Sequence, residues 1–242
     1  MERDSSADNS TVKLVVFDLD GTLTQTMGVD VECFVIAVTE VLQLPEIDQD
    51  WNSYEHVTDE GVIRELFMRS FGRQAQPRDT IPVVDRFIEL LAARQLSDGT
   101  AFSEISGATP LMDRLRGDSQ WAIALATGAW RRSAQFKIRS AGLPLEGIPA
   151  AFAEDGPSRE GIVRAAIDRA KETYRQLEFE RIVSVGDALW DVKTARNLQF
   201  PFVGVGASSR AERLRSNGAS HVLEDYRDPE CFLRYLEEAR IP

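Results

Sequence analysis

At 242 residues with a formal net charge of -11, the chain is long enough for one large α/β domain, or for a core of about 150 residues carrying a smaller inserted one. With 43% hydrophobic and 28% charged residues, 16 Gly and 10 Pro, it is neither collagen-like nor disordered. The acidic balance repels phosphate backbones at long range and argues against a nucleic-acid partner.

Residues 1–10 are polar and acidic, unlike a signal peptide, and are read as a disordered leader. The first ordered element is expected at residues 12–18, an apolar run without clean alternation, which suits a strand buried on both faces of a parallel sheet. From about residue 25 to 105 strand signals give way to helical spacing: Val31, Phe34, Val35, Val38, Val41 and Leu42, then Val62, Ile63, Leu66 and Phe67, then Val83, Val84, Phe87, Leu90 and Leu91. The stretch reads as a small helical bundle. Residues 73–82, with Pro77 and Pro82, are expected to be a loop inside it, since proline does not continue a helix interior.

Apolar runs return at 121–126, 181–185 and 201–205, each followed by small residues and a helical pattern, and a weaker run lies at 150–153. Strands alternating with helices in this way imply right-handed crossovers and a doubly wound parallel α/β sheet. The core is placed at residues 11–24 and 106–242, with an inserted helical unit at 25–105. No run approaches the ~18 apolar residues that span a bilayer, so no membrane partner is expected. Cys33 and Cys231 lie far apart without metal-ligand spacing, which fits reduced thiols in a cytoplasm. The only histidines are His56 and His221, which narrows the chemistry to carboxylates.

Ligands of open α/β sheets bind beyond the carboxyl ends of the strands. The first strand ends in Asp18-Leu19-Asp20-Gly21-Thr22-Leu23, two carboxylates in a glycine-containing turn. The second ends in Thr127-Gly128, a hydroxyl and amide donors leading into a helix N-terminus that favours an anion. The fourth ends in Gly186-Asp187, with Asp191 four residues further on, and Arg159 opens the preceding helix. Acidic oxygens for a hard cation, a hydroxyl, amides and a guanidinium at one place describe a magnesium and phosphate site. Each acidic residue taken singly could be a turn-former or helix cap. Buried together at a sheet edge, they are costly without a cation.

These motifs, in this order, resemble those of the haloacid dehalogenase-like hydrolase superfamily, specifically its phosphatases with a helical cap inserted after the first strand, the phosphoglycolate phosphatase and beta-phosphoglucomutase-like members. The resemblance covers essentially the whole core. It implies Asp18 as nucleophile and Asp20 as general acid/base. It implies phosphate binding by Thr127, Gly128 and Arg159, with Arg164 and Lys137 as other basic residues nearby in sequence. Mg²⁺ would be bound by Asp18, the backbone carbonyl of Asp20, and Asp187, with Asp191 holding the metal's water shell or orienting Arg159.

A dehalogenase has no need of Asp20 or magnesium. A phosphomutase shares every motif and is the enzymatic alternative to a phosphatase; an idle core binding a basic protein is the non-enzymatic one. The implied partner is a small phosphorylated metabolite, with monomer and homodimer both open. Trp130 and Trp190 follow two strand ends and either line the pocket or pack. His56, in the helical insert, reads as an exposed polar residue.

Overall fold

The computed structural model describes residues 12–242, so the expected leader at 1–10 lies outside the described residues. The apolar runs form one parallel sheet: β1 (Lys13–Phe17), β2 (Trp121–Ala126), β3 (Ala150–Ala151), β4 (Ile182–Gly186), β5 (Phe202–Val205) and β6 (His221–Leu223). Their order is β3-β2-β1-β4-β5-β6, which puts β1 between β2 and β4, where the winding reverses. Val15 lies beside Ile123 on one side and Val183 on the other.

Both faces of β1 are buried, which is why its sequence does not alternate. Val15 and Phe17 pack against α4 (Ala108–Arg116) and α9 (Pro229–Glu238), where Phe17 stacks on Phe232. Leu14 and Val16 face the opposite way, onto Ile162, Ala166 and Ala170 of α6 (Arg159–Tyr174). Two further helices, α7 (Leu189–Leu198) and α8 (Ser208–Ser216), share an apolar cluster with Phe202 and Val222. The helix α5 (Arg131–Ser140) follows β2.

Three helices intervene between β1 and α4: α1 (Met27–Leu42), α2 (Asp59–Phe71) and α3 (Pro77–Ser97). They close around their own apolar cluster, with Phe34, Ile63, Phe87 and Leu91 at its centre. The segments entering and leaving this insert run side by side: Gln25 donates to the Ser103 carbonyl and Ile105 to that of Leu23, both at 2.8 Å. Trp130, from the turn after β2, is only 2% exposed and sits in the same cluster against Phe34 and Phe87. Its role is therefore packing, and it fastens the insert to the sheet.

Two expectations need correction. Residues 73–82 are not all loop, because α3 begins at Pro77. Pro77 is at the first helical position, where a missing N–H costs nothing, and the Asp79 carboxylate accepts from the Gln76 N–H at 2.9 Å. Pro82 lies within the helix, and the carbonyl it leaves without a donor belongs to exposed Arg78, which water can reach. The weak run at 150–153 yields only a two-residue strand, since Ala153 opens a short 3₁₀ turn. The edge strand β6 was not expected from the sequence. No helix among the described residues is long and apolar enough to cross a membrane.

Candidate active site

The reversal of winding leaves a crevice at the carboxyl end of β1, and Asp18 sits there, 7% exposed, its N–H donating to the Val185 carbonyl of β4 at 3.0 Å. The turn that follows is tight because Gly21 has φ +83°; a Cβ on it would lie 2.1 Å from Asp187 Oδ2. Only glycine lets the β1 turn and the β4 end approach this closely.

Asp187 and Asp191 come from the β4 end and the first turn of α7. Asp18, Asp187 and Asp191 each present a carboxylate oxygen, and these three oxygens lie within 4.8 Å of one another. Burial, with Asp191 adding to it, pushes the Asp187 carboxyl up to about 7. Burial and then Asp191 also raise Asp18 well above the ordinary carboxylate range, against the pull of Arg159. Such crowding needs positive charge.

Part of that charge is in the chain. Arg159 Nη1 lies 2.9 Å from Asp191 Oδ1 and 3.4 Å from Asp18 Oδ1, its Nε donates to the Val57 carbonyl at 2.9 Å, and its guanidinium lies over the Trp190 ring. Arg210 reaches Asp187 Oδ2 at 3.0 Å. Asp187 Oδ1 remains: it is buried with no hydrogen-bond partner. A buried carboxylate oxygen without a donor is expensive. An all-oxygen set with one such atom fits a hard divalent cation, with Asp18 and Asp187 as the residues that would hold it. Asp191 is otherwise engaged, its Oδ1 with Arg159 and its Oδ2 accepting the Ala188 N–H at 3.1 Å.

The Asp20 carboxylate is outside this group. Its Oδ1 accepts from Thr26 Oγ1 at 2.5 Å and its Oδ2 from Lys137 Nζ at 2.6 Å. Thr127 is buried at the β2 end, with its Oγ1 accepting the Ala129 N–H at 3.2 Å, so it caps the turn while lining the cleft. Gly128 lets Arg159 pass: a Cβ there would be 2.9 Å from Nη2. Of the basic residues near in sequence, Arg159 faces Asp18, Lys137 faces Asp20, and Arg164 is exposed on α6. Trp190 lines the cleft beneath Arg159. His56 is half-buried and does not line this cleft; its nearest acidic partner is Glu55 at 3.9 Å.

The structure adds Asp30 and Asp59 from the insert, both lining the cleft, and Arg210 from α8. Asp30 and Asp59 each look in sequence like a residue in the first turn of a helix, where Asp is ordinary. A better signal was available at Lys137, which falls on the buried face of α5 with Ser133 and Ala134, a position that calls for an apolar residue.

The haloacid dehalogenase-like hydrolase profile matches residues 12–199. No curated protein sequence matches the chain. Among solved structures, a hydrolase from Pseudomonas syringae is similar at 21% identity and TM-score 0.65, covering 94% of this chain and 98% of that one. A candidate beta-phosphoglucomutase from Bacteroides vulgatus has 14% identity and TM-score 0.63, covering 95% and 90%. A predicted phosphatase from Clostridium acetobutylicum has 18% identity and TM-score 0.59, covering 94% and 100%. At these identities the structural likeness is one of fold, and the assignment rests on the profile and on a doubly wound sheet of the expected kind. The chain belongs to the haloacid dehalogenase-like hydrolase family.

Proposed function

We propose that this protein is a magnesium-dependent phosphatase that hydrolyses small phosphate monoesters through an aspartyl-phosphate on Asp18. The observation that carries the reading is a single strand end at which Asp18 meets the Arg159 guanidinium and an Asp187 oxygen that is buried without a partner. When bound at Asp18 and Asp187, Mg²⁺ would neutralise charge on the phosphoryl oxygens.

The chain's own residues supply the rest. An oxygen of Asp18 attacks phosphorus, and as that bond forms the ester P–O bond breaks. Asp20, which takes up a proton from solvent before the ester is cleaved, delivers it to the departing oxygen. In the second half Asp20, now a carboxylate, takes a proton from water while the water oxygen bonds to phosphorus and the Asp18–phosphate bond breaks. Arg159, Thr127 and the amides of the Gly128 turn hold the transferring group.

The leaving group would occupy the side of the cleft formed by Met27, Val31, Phe34 and Trp51. The cavity at this point measures about 80 Å³ and opens to solvent. Arg159 is the one cation among the described residues lining it, and it is engaged by Asp18 and Asp191. The anion matched by the site is thus the phosphoryl group. Both cysteines are free, in keeping with a cytoplasmic protein.

The test is phosphate release from p-nitrophenyl phosphate and a panel of small esters, with Mg²⁺ and with EDTA. Magnesium-dependent release supports the proposal. Isomerisation of a sugar phosphate without release would replace it with a mutase. Folded protein that turns over no ester at all would contradict it.

A further inference from the structure

Lys137 is 0% exposed, an uncommon place for a lysine, since an ammonium removed from water must be paired. Its Nζ lies 2.6 Å from Asp20 Oδ2 and 2.5 Å from Asp30 Oδ1. Burial works against the ammonium, but Asp20, Asp30 and Asp59 outweigh it and hold Lys137 above the usual lysine range. Its three acidic neighbours come from different places: Asp20 from the turn after β1, Asp30 from α1 and Asp59 from α2.

A plain fastening of insert to sheet would need only the Lys137–Asp30 pair. Here the third member is the acid/base itself. Thr26, at the N-terminus of α1, takes the other oxygen of Asp20. Both oxygens of that carboxylate are therefore fixed, one directly by the insert and the other through a lysine that the insert also grips.

We propose that Lys137 is a positioning residue for Asp20, joining its carboxylate to Asp30 so that the α1 helix sets where the acid/base stands relative to Asp18. The inference rests on the phosphatase reading and deepens it. Lys137 transfers no proton in this account. It fixes the position from which Asp20 protonates the leaving oxygen.

The experiment compares wild type, Lys137→Met and Asp30→Asn on substituted phenyl phosphates of similar size, with Mg²⁺, measuring kcat/KM against leaving-group basicity. This ratio reports only steps up to release of the phenol, so hydrolysis of the phosphoenzyme does not enter. A poorly placed acid hurts only leaving groups that need a proton. Lys137→Met is expected to stay within about threefold of wild type on the least basic leaving group and to fall about tenfold or more on the most basic, a part of the ~10²–10⁴ that general acid catalysis supplies. Asp30→Asn should shift the dependence in the same direction by less. It leaves the lysine in place and decides the matter if Lys137→Met does not fold. A parallel loss across the series, or an unchanged dependence, would overturn the proposal and leave Lys137 a structural pin. Absence of magnesium-dependent hydrolysis by wild type would defeat the phosphatase reading itself.

Discussion

Replacing Asp187 by Asn should stabilise the metal-free protein while removing its response to Mg²⁺. Burial, with Asp191 beside it, lifts the Asp187 carboxyl from 3.8 to about 7. The folded state therefore binds this proton more tightly than the unfolded chain, so ionisation costs stability. The cost is absent below about pH 4, grows between 4 and 7, and is full above 7. A rise of about three pH units corresponds to about 4 kcal/mol at 1.36 kcal/mol each. We expect about half of this in practice, because buried charges draw in water and neighbouring groups relax. The half-exposed Arg210 loses its ionic partner, a loss of under ~1 kcal/mol. The variant should melt about 2–6 °C higher than wild type in EDTA at pH 8. That advantage should shrink as pH falls from 7 toward 4. Added Mg²⁺ should raise the melting temperature of wild type and not of the variant. A variant less stable than wild type in EDTA at pH 8, or a difference that does not change with pH, would refute the reasoning.

Gly21→Ala should lose at least ~2 kcal/mol in urea unfolding together with activity, because φ +83° disfavours a side chain and the new Cβ would strike the Asp187 carboxylate. Trp130→Ala should cost about 3–5 kcal/mol in the same assay, since the indole fills the junction between insert and sheet; a loss under ~1 kcal/mol would show that this junction is not packed as described. Arg159→Met should lower kcat/KM for p-nitrophenyl phosphate by about 10²–10³, as loss of a charged donor to the transferring group would. Steady-state kinetics at saturating Mg²⁺ reads the last of these directly.

The sheet was legible because β1, β2, β4 and β5 are covered on both faces and so appear as unbroken apolar runs between small residues. β6 has three residues at an edge, with only Val222 fully buried, and leaves no comparable run. Proline hid the start of α3, because its meaning depends on whether it opens a turn of helix or interrupts one. Asp18, Asp20, Asp187 and Asp191 could be marked because each follows a strand, and strand ends converge in this architecture. The pairing of Asp191 with Arg159 was among the expectations, but the partners of Asp20 were not legible. Asp20 and Lys137 are 117 positions apart, and Asp30 and Lys137 are 107 apart, so their meeting is decided by how the insert docks on the sheet. Asp191 meets Arg159 because α6 and α7 lie side by side.

The measurement that tests the central claim most directly is a rapid acid quench of the enzyme with a radiolabelled phosphate ester and Mg²⁺, followed by peptide mapping. The account predicts hydroxylamine-labile label on the peptide containing Asp18, none in EDTA, and none in Asp18→Asn, which keeps the shape of the side chain without its nucleophilic charge. Turnover of the ester at near wild-type rate by Asp18→Asn, or label on another residue, would contradict it.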